Sequence, residues 1–299
     1  MHEFLRDRLA CPGCGAGLDD DLSCAECGAT YGVRNGIYDL VHEDDQPLGG
    51  LPGDDELTGD DTVTQEEYDE YVNEETRQAR EKMAYAIQGP LDRLEGATLD
   101  LATGMAGGLF APQLDRADVT PIASDEEVEV LERLRDQLPD VEAPHGYVAC
   151  NPRALPFRDD SLDAVTSAGA LNNVVGTDAL LEEIYRVIDE SGEYLGMQLF
   201  VDPDTDSAEL ALEYGVETAY LEDRFRNAAV DAGFETVEVW AVDTAVAAEN
   251  PYDRMPVAGD EQTFAVVRLD PQSGSESSLQ NQLGQEDVFG RPQGRIGPM

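Results

Sequence analysis

Two closely spaced pairs of cysteines near the N-terminus constrain the fold of this chain more than any other feature. Cys11 and Cys14 form one pair and Cys24 and Cys27 the other, each with two residues between its cysteines. Four thiolates complete a closed tetrahedral zinc site. A domain of about forty residues has too small a core to fold alone. The pattern therefore predicts that a structural zinc ion supplies much of the folding free energy of residues 1–41.

The use of cysteine also indicates the compartment. Paired spacing in a chain with five cysteines fits metal binding in a reducing environment better than a disulfide framework. The fifth, Cys150, is interpreted as a small buried hydrophobe in a strand. No apolar run approaches the length of a membrane span, and residues 1–6 lack the apolar stretch of a signal peptide. We therefore expect a cytoplasmic protein with no membrane partner.

The charge balance is strongly acidic. The chain has 64 Asp and Glu against 19 Lys and Arg, a formal net charge of −45 spread along the whole sequence. Hydrophobic residues still make up 41%, enough for a sizeable core. Because the Debye length at molar salt is about 3 Å, such a surface repels itself little there. The composition predicts a halophilic protein; the alternative, an acidic domain for a basic partner, would gather its acids in one patch.

Beyond residue 66, short apolar runs alternate with helical patterns, which is typical of an α/β fold with a mostly parallel sheet. The predicted strands are 98–102, 119–123, 147–150, 163–167, 194–200, 236–241 and 263–268. The last two are joined by a connection without helical periodicity, so we expect them to pair antiparallel at the sheet edge.

Helical periodicity predicts helices over 66–88, 125–138, 178–188 and 220–232. Ser124 to Glu127 has the form of a capping box, and Gly89-Pro90 is expected to end the first helix. Two segments lack periodicity, one rich in Asp, Gly and Pro and one rich in Ser, Gln, Gly and Pro. The resulting organisation is a zinc ribbon at 1–41, an acidic linker at 42–65, an α/β domain at 66–270 and a disordered tail at 271–299.

An acidic residue and a run of small residues end the first strand of the α/β domain. Asp100 precedes a loop from Ala102 to Gly108. Small side chains let the backbone touch a cofactor, and Asp100 could accept hydrogen bonds from a charged amino group of that cofactor. A tight turn without a ligand explains this loop equally well when it is taken alone.

Further segments follow the loop in order, at 155–157, 161–165, 171–174 and 182–194. Together they resemble class I S-adenosylmethionine-dependent methyltransferases, in particular the group with quinone-biosynthesis and small-molecule enzymes. The resemblance spans about residues 66–268 and implies a Rossmann-like, mostly parallel seven-stranded sheet with an antiparallel edge strand. It also implies S-adenosylmethionine as cofactor. Residues 5–41 resemble the zinc-ribbon family that includes the small activator subunit of tRNA and protein methyltransferases.

The resemblance implies that nine positions line the cofactor: Asp100, Ala102, Gly104, Ala106, Gly107, Asn151, Pro152, Gly169 and Ala170. The first five would hold its methionine portion, the next two would lie beside adenine, and the last two would approach the sulfonium. Asn172 and Asn173 would face the acceptor pocket, and a turn or helix cap explains these two asparagines equally well.

Several positions depart from the family pattern. Ala102 and Ala106 stand where glycine is usual, which is tolerable if the backbone torsions allow it. Ala123 stands where an acid normally grips the ribose, and Asp125 could substitute only if the loop shifts. Asn151 replaces an adenine-contacting acid. Each charge-assisted bond that is not replaced would cost about 1.5 to 3 kcal/mol, so weaker cofactor binding is expected.

The leading hypothesis is a methyltransferase acting on a small molecule or RNA, with the helix at 66–88 helping to cover the pocket. Methyl transfer from a sulfonium requires mainly alignment and exclusion of water. His2, His42 and His145 do not fall on the strand ends that face a substrate, so no catalytic base is nominated.

Two further possibilities concern partners. The chain lacks the basic stripe expected for nucleic acid. Arg6, Arg8 and Arg34 could form a small basic face or could equally be ion-pair partners. The alternative to an enzyme is a non-catalytic binding or regulatory protein that keeps the fold and uses its zinc ribbon to contact a protein partner.

Overall fold

The computed structural model describes residues 3–42, 68, 70–139 and 141–272. In this part of the chain, nine strands form one mixed sheet. They are β1 (Gly32–Arg34), β2 (Ile37–Asp39), β3 (Gly96–Leu101), β4 (Val119–Asp125), β5 (Gly146–Ala149), β6 (Leu162–Ala168), β7 (Ile188–Val201), β8 (Thr236–Val246) and β9 (Glu261–Asp270). Their order across the sheet is β1-β2-β5-β4-β3-β6-β7-β9-β8.

Helices cover both faces of this sheet. They are α1 (Glu3–Arg6), α2 (Glu74–Ala86), α3 (Gln88–Leu91), α4 (Val128–Gln137), α5 (Thr177–Val187), α6 (Asp206–Tyr214), α7 (Glu217–Tyr220) and α8 (Glu222–Ala232). Short 3₁₀ turns lie at Ala111–Gln113 and Ala170–Asn173. One large apolar cluster contains Leu99, Val165 and Phe225, and a second cluster holds α2 against Leu195 and Phe264.

The predicted α/β fold is confirmed. Strands β5, β4, β3, β6 and β7 are parallel neighbours, while β9 runs antiparallel between β7 and β8. The last two strands therefore pair antiparallel at the sheet edge, as their short connection indicated. Because parallel strands end on the same side, the loops after β3, β4, β5 and β6 converge at one carboxyl edge.

The sheet is wider than the seven strands expected, because the N-terminal segment joins it. β1 and β2 form an antiparallel hairpin, and β2 pairs in parallel with β5 through Tyr38 opposite Val148 and Asp39 opposite Ala149. Strands of three residues are too short to show a period of two in the sequence. The sequence therefore could not predict that the cysteine-rich segment is part of the main sheet.

The predicted capping box at Ser124 is wrong. β4 continues through Asp125 because Ser124 and Asp125 pair with Val148 and Ala149 of β5. The Ser124 hydroxyl donates to the carbonyl of Asp100 at 2.8 Å rather than capping a helix. α4 begins at Val128, and Glu127 at its N-cap makes no side-chain capping bond.

Other helix boundaries also differ from the predictions. α2 begins after Asn73, whose Oδ1 accepts from the amide of Thr76 at 2.8 Å. Gly89 and Pro90 lie inside α3, because proline is tolerated in a first helical turn. The predicted helix at 220–232 is divided at Leu221, and α6 was not predicted.

Some expectations lie outside the described residues. These are the acidic linker from residue 43 onward, the first residues of the helix predicted to begin at 66, and the tail beyond residue 272. Within the described residues, none of the helices combines the length and apolar character needed to span a bilayer.

Candidate cofactor and metal sites

The four N-terminal cysteines come together as predicted. Their Sγ atoms all lie within 4.8 Å of one another, with 3.6 Å between Cys11 and Cys27 and 3.5 Å between Cys14 and Cys24. Ligands of a tetrahedral zinc ion with bonds of 2.3 Å are separated by about 3.8 Å, so the cluster has the size of a zinc site. The backbone amide of Cys27 lowers the pKa of Cys24 to about 7, which favours its thiolate. The pKa values of Cys14 and Cys27 are instead raised, because a backbone hydrogen bond to each is outweighed by the bond with Cys24 and by burial.

The cysteine-rich N-terminal segment, the predicted zinc ribbon, contacts the α/β domain at several points. The amide of Ala10 donates to the carbonyl of Pro156 at 3.0 Å, and that of Leu40 donates to Ala149 at 2.9 Å. At the hairpin turn, Arg34 forms an ion pair with Glu129 of α4 at 2.7 Å. These contacts place the ribbon beside the loop after β5.

The three arginines that could form a basic face make ion pairs or hydrogen bonds within the protein. Arg6 pairs with Asp20 at 2.7 Å, and Arg34 also reaches Glu132 at 3.2 Å. The guanidinium of Arg8 donates to the carbonyls of Phe4 and Ser161. The ion-pair interpretation therefore fits Arg6 and Arg34 better than a basic face for nucleic acid.

Asp100 fastens the loop that follows β3. Its carboxylate is buried and accepts from the Thr166 hydroxyl at 2.8 Å and from the amides of Leu109 and Phe110 at 3.2 Å each. Burial raises the pKa of Asp100 to about 7, against the opposing effect of these donors. A Cβ atom on Gly108 would lie 2.5 Å from Asp100 Oδ2, so only glycine fits there. Direct contact of Asp100 with a cofactor stays a prediction.

The same loop has a packed side and an open side. A Cβ atom on Gly107 would lie 2.9 Å from Ala111, which marks the packed side. At Gly104 the nearest atom to such a Cβ is the carbonyl oxygen of Ala102, 4.0 Å away. Ala102 and Ala106 are exposed. A ligand that touches this loop therefore has access along Ala102, Gly104 and Ala106.

Ala102 departs from the usual glycine at a conformational cost. Its φ of 44° lies in the left-handed region, which costs an L-residue roughly 1 to 2 kcal/mol. Ala106 is not among the non-glycine residues with positive φ. The two alanines are therefore not equivalent, and only Ala102 strains the loop.

Asp125 is the residue that could replace the acid missing at Ala123. Ala123 is fully buried and offers no polar group. Asp125 is two residues further along β4, on the same face of the sheet. Its Oδ2 accepts from the amide of Gly104 at 3.1 Å, and its backbone carbonyl accepts from Cys150 at 2.8 Å. Burial raises the pKa of Asp125.

The remaining predicted cofactor residues lie at the ends of β5 and β6. Asn151 and Pro152 are buried, and Asn151 Oδ1 accepts from the amide of Arg153 at 2.9 Å. Gly169 has a φ of 86°, and no atom would come within 4 Å of a Cβ placed there. Ala170 is 7% exposed and donates its amide to Ser167. Because β6 pairs in parallel with β3, the open space at Gly169 lies at the same edge of the sheet as the loop after β3.

The two asparagines after β6 differ from each other. Asn172 is buried, donates to the carbonyls of Leu199 and Ala219 and accepts from the amide of Leu199 at 3.0 Å. These bonds favour a structural role that ties the turn to β7 and α7. Asn173 is exposed, and its contact with an acceptor stays a prediction.

A polar and aromatic cluster at the carboxyl edge was missed by sequence reasoning. The phenol of Tyr68 donates to Asp253 Oδ2 at 2.7 Å and accepts from Arg80 at 3.1 Å. Tyr71 and Tyr252 meet edge to face with 5.5 Å between ring centroids. No local motif could reveal this cluster, because Tyr68 and Asp253 are separated by 185 positions.

Helix α2 packs mainly on the face of β8 and β9, with Ala79 and Met83 in the apolar cluster there. Its N-terminal half reaches the carboxyl edge, where Asn73 donates to the carbonyl of Val246 at 2.8 Å and Arg80 donates to Tyr68 at 3.1 Å. Any contribution of α2 to covering a pocket therefore comes from its N-terminal half.

Comparison with known proteins finds a family match in the central part of the chain. Residues 99–195 match the protein family described as a methyltransferase domain, which confirms the resemblance to class I S-adenosylmethionine-dependent methyltransferases. The ubiquinone/menaquinone biosynthesis C-methyltransferase of Stenotrophomonas maltophilia is 53% identical over 47 residues, which are 16% of this chain and 19% of that protein. The Xylella fastidiosa protein of the same name is 37% identical over 98 residues, 32% of this chain and 39% of that protein. The matches thus span less than half of either relative.

Solved structures with a similar chain include methyltransferases of several kinds. A chain from the complex of the Haloferax volcanii Trm112 methyltransferase activator with a methyltransferase is 21% identical, with a TM-score of 0.45 over 64% of this chain and 98% of that chain. Phosphoethanolamine N-methyltransferase 2 of Haemonchus contortus is 16% identical, with a TM-score of 0.48 over 73% of this chain and 56% of that chain.

Proposed function

We propose that this protein is an S-adenosylmethionine-dependent methyltransferase that methylates a small molecule or RNA. The observation that carries the proposal is the loop after β3, which lies in the matched methyltransferase domain and keeps an open side at Gly104 next to the carboxylate of Asp125. Open backbone beside a half-buried acid suits a ligand with hydroxyl and amino groups. The non-catalytic alternative has no such support.

The proposed cofactor lies along the carboxyl edge of the sheet. Its methionine portion follows Ala102, Gly104 and Ala106, with Asp100 and Gly107 beneath the loop. Its ribose hydroxyls donate to Asp125, which stands in for the acid missing at Ala123. Adenine lies beside Asn151 and Pro152, and the sulfonium lies above Gly169 and Ala170.

The residues of this chain contribute positioning rather than acid–base chemistry. When bound, S-adenosylmethionine supplies an activated methyl group that an aligned acceptor displaces in line. Asp100 holds the loop through the amides of Leu109 and Phe110, so the binding surface is formed before the ligand arrives. Pre-formed alignment of this kind accounts for a large part of a rate enhancement. No residue is proposed as a general base.

The pocket for the methyl acceptor is proposed to lie between Asn173 and the cluster of Tyr68, Tyr71 and Tyr252. Hydrogen-bonded Tyr68 and Asp253 would form its far wall. The quinone-related activity in the names of the relatives is compatible with a small planar acceptor, but those matches cover only 47 and 98 residues. RNA is the weaker choice, because Arg6 and Arg34 are already paired with acids.

The zinc ribbon is proposed to be structural. Cys11, Cys14, Cys24 and Cys27 would hold one Zn²⁺ with no open coordination position, as in sites that stabilise folds. The ion would stabilise the cysteine-containing turns of the segment that contacts Pro156 and β5. A protein partner on the ribbon, a salt-adapted surface and a cytoplasmic location also remain proposals, supported by the resemblance of residues 5–41, the net charge of −45 and the cysteine usage.

The test is calorimetric titration of S-adenosylmethionine and S-adenosylhomocysteine into zinc-loaded protein in molar KCl. We expect saturable binding of both ligands at one site. Ala168, exposed at the end of β6, is next to Gly169, so Ala168→Trp should fill the space for the sulfonium and abolish binding. Leu212→Trp at an exposed position of α6 is the matched control and should bind normally. A folded wild-type protein that binds neither ligand at millimolar concentration would overturn the proposal.

A further inference from the structure

The outer edge of β8 is not explained by the proposed function. This strand has 11 residues and pairs antiparallel with β9 on one side. Among the described residues, no strand pairs with its other side. Edge strands present a row of backbone donors and acceptors and are usually kept short or carry blocking charges. The opposite edge, β1, has only three residues, so the two edges of this sheet differ sharply.

The side chains of β8 leave apolar surface at this edge. Val237 and Val239 pack on the cluster beneath one face of the sheet, and Trp240 and Val242 pack on the cluster beneath the other. All four are half-buried rather than buried. Tryptophan is enriched at protein interfaces because it offers a large apolar area with little conformational freedom to lose.

The charges on β8 permit a second copy of this chain to approach. The chain carries a formal charge of −45, so most of its surface would repel another copy. The acids of β8 are Glu238 and Asp243. Lys82 lies 2.6 Å from Asp243, whereas Arg268, 3.6 Å from Glu238, also forms ion pairs with Glu193 and Asp270. Like-charge repulsion along this edge is therefore reduced most at Asp243 and less at Glu238.

We propose that β8 pairs antiparallel with β8 of a second copy, across a two-fold axis near Trp240 and Ala241. An axis at Ala241 sets Glu238 opposite Thr244 and Asp243 opposite Val239. An axis at Trp240 instead sets those two acids opposite Val242 and Val237. Neither register places an acid directly opposite an acid, which would destabilise the pair.

The resulting interface is self-complementary and closes after two copies, as in most homodimers. It joins the two sheets into one continuous sheet and removes both long edges. The β-bulge between Ala241 and Asp243 increases the local twist of the strand. The carboxyl-edge loops of each copy remain at their own sites, so the interface leaves Asp125 and Gly104 accessible.

The test is sedimentation equilibrium of the full chain in molar KCl from micromolar to sub-millimolar concentration. We expect a monomer–dimer equilibrium. Trp240 is the only tryptophan, so its quenching by acrylamide should fall as dimer forms, which needs no variant. A wild-type protein that stays monomeric over this range, with concentration-independent quenching, overturns the proposal whether or not S-adenosylmethionine binds.

A charge variant tests the position of the axis. Ala241 is exposed, and Ala241→Lys would bring two ammonium groups together near the axis and raise the dimer dissociation constant at least about tenfold, or about 1.4 kcal/mol. Leu212→Lys makes the same change of charge on exposed α6 and should leave the constant unaltered. Equal constants for wild type and a folded Ala241→Lys variant would place the interface elsewhere and contradict the proposal.

Discussion

The carboxylate of Asp125 accepts a hydrogen bond from the backbone amide of Gly104, with 3.1 Å between Oδ2 and N. This bond joins the end of β4 to the loop after β3. Ala123, two residues earlier on the same face of β4, is buried and offers no polar group. That Asp125 takes the place of the acid missing at Ala123 is part of the proposed function.

Removal of the charge at Asp125 should weaken cofactor binding. Asp125→Asn keeps the size of the side chain but replaces a charged acceptor with a neutral amide. A charge-assisted hydrogen bond contributes about 1.5 to 3 kcal/mol, so the dissociation constant for S-adenosylmethionine should rise at least about tenfold by calorimetry. Asp115→Asn, an exposed acid in a turn outside the site, is the control. Unchanged affinity in Asp125→Asn would remove Asp125 from the cofactor site.

Ala102→Gly should stabilise the protein. The φ of 44° at Ala102 is strained for alanine and ordinary for glycine. Relief of about 1 to 2 kcal/mol exceeds the entropic cost of glycine, roughly 0.5 to 1 kcal/mol, so a net gain of up to about 1.5 kcal/mol is expected. Denaturant unfolding at constant KCl measures it. Ala106→Gly lacks the positive φ and should lower the free energy of unfolding; the same sign for both variants would contradict the strain argument.

The raised pKa of Asp100 should make stability depend on pH in a defined direction. Burial raises that pKa to about 7 in the folded state, while an unfolded aspartate titrates near 3.9. Between these values only the folded state holds the proton, so this contribution to the free energy of unfolding falls as pH rises from about 4 to 7. Its slope is at most about 1.4 kcal/mol per pH unit.

The neutral variant Asp100→Asn isolates this contribution from the many other carboxylates. Its amide oxygen still accepts from Leu109 and Phe110, and its amide nitrogen donates to Thr166. Unfolding free energies of both proteins are compared at about pH 5 and pH 8 in molar KCl. Wild type should lose stability relative to the variant as pH rises. A constant difference would show that Asp100 titrates normally.

Loss of the proposed metal should weaken the backbone hydrogen bonds between the cysteine-rich segment and the sheet. Cys14→Ala removes one of four ligands and should abolish stoichiometric zinc binding. The amides of Ala10 and Leu40, bonded to Pro156 and Ala149, should then exchange hydrogen faster. Cys150→Ala, at a buried cysteine outside the cluster, should retain zinc. If the amides of Ala10 and Leu40 exchange no faster without zinc, the contacts of this segment with the sheet do not depend on metal binding.

Much of this fold could be predicted from the sequence, because the signals were local. The run at 163–167 lies within β6, and the run at 194–200 lies within β7. The spacing of the four cysteines sufficed to bring them together. The strands were predicted from runs of neighbouring residues, and the cysteine cluster from two short turns.

The parts that failed depend on distant partners. Ser124 resembles a helix cap in sequence, yet β5 provides hydrogen bonds that keep it in β4. For Asn172 the sequence left two interpretations open, and the amide bonds to Leu199 and Ala219 that favour the structural one come from distant elements. The pairing of β2 with β5 joins positions more than one hundred residues apart. No local period reports such contacts.

The pairing of β2 with β5 has a consequence for how the cysteine-rich segment stays in place. Both strands belong to one chain, so the ribbon meets the α/β domain at an effective concentration fixed by the intervening polypeptide. Dilution does not lower that concentration, whereas a separate subunit would dissociate. The ratio of the cysteine-rich segment to the α/β domain is thereby constant in every molecule. Under the proposed zinc binding, the supply of metal is then the variable that changes the contacts between the two.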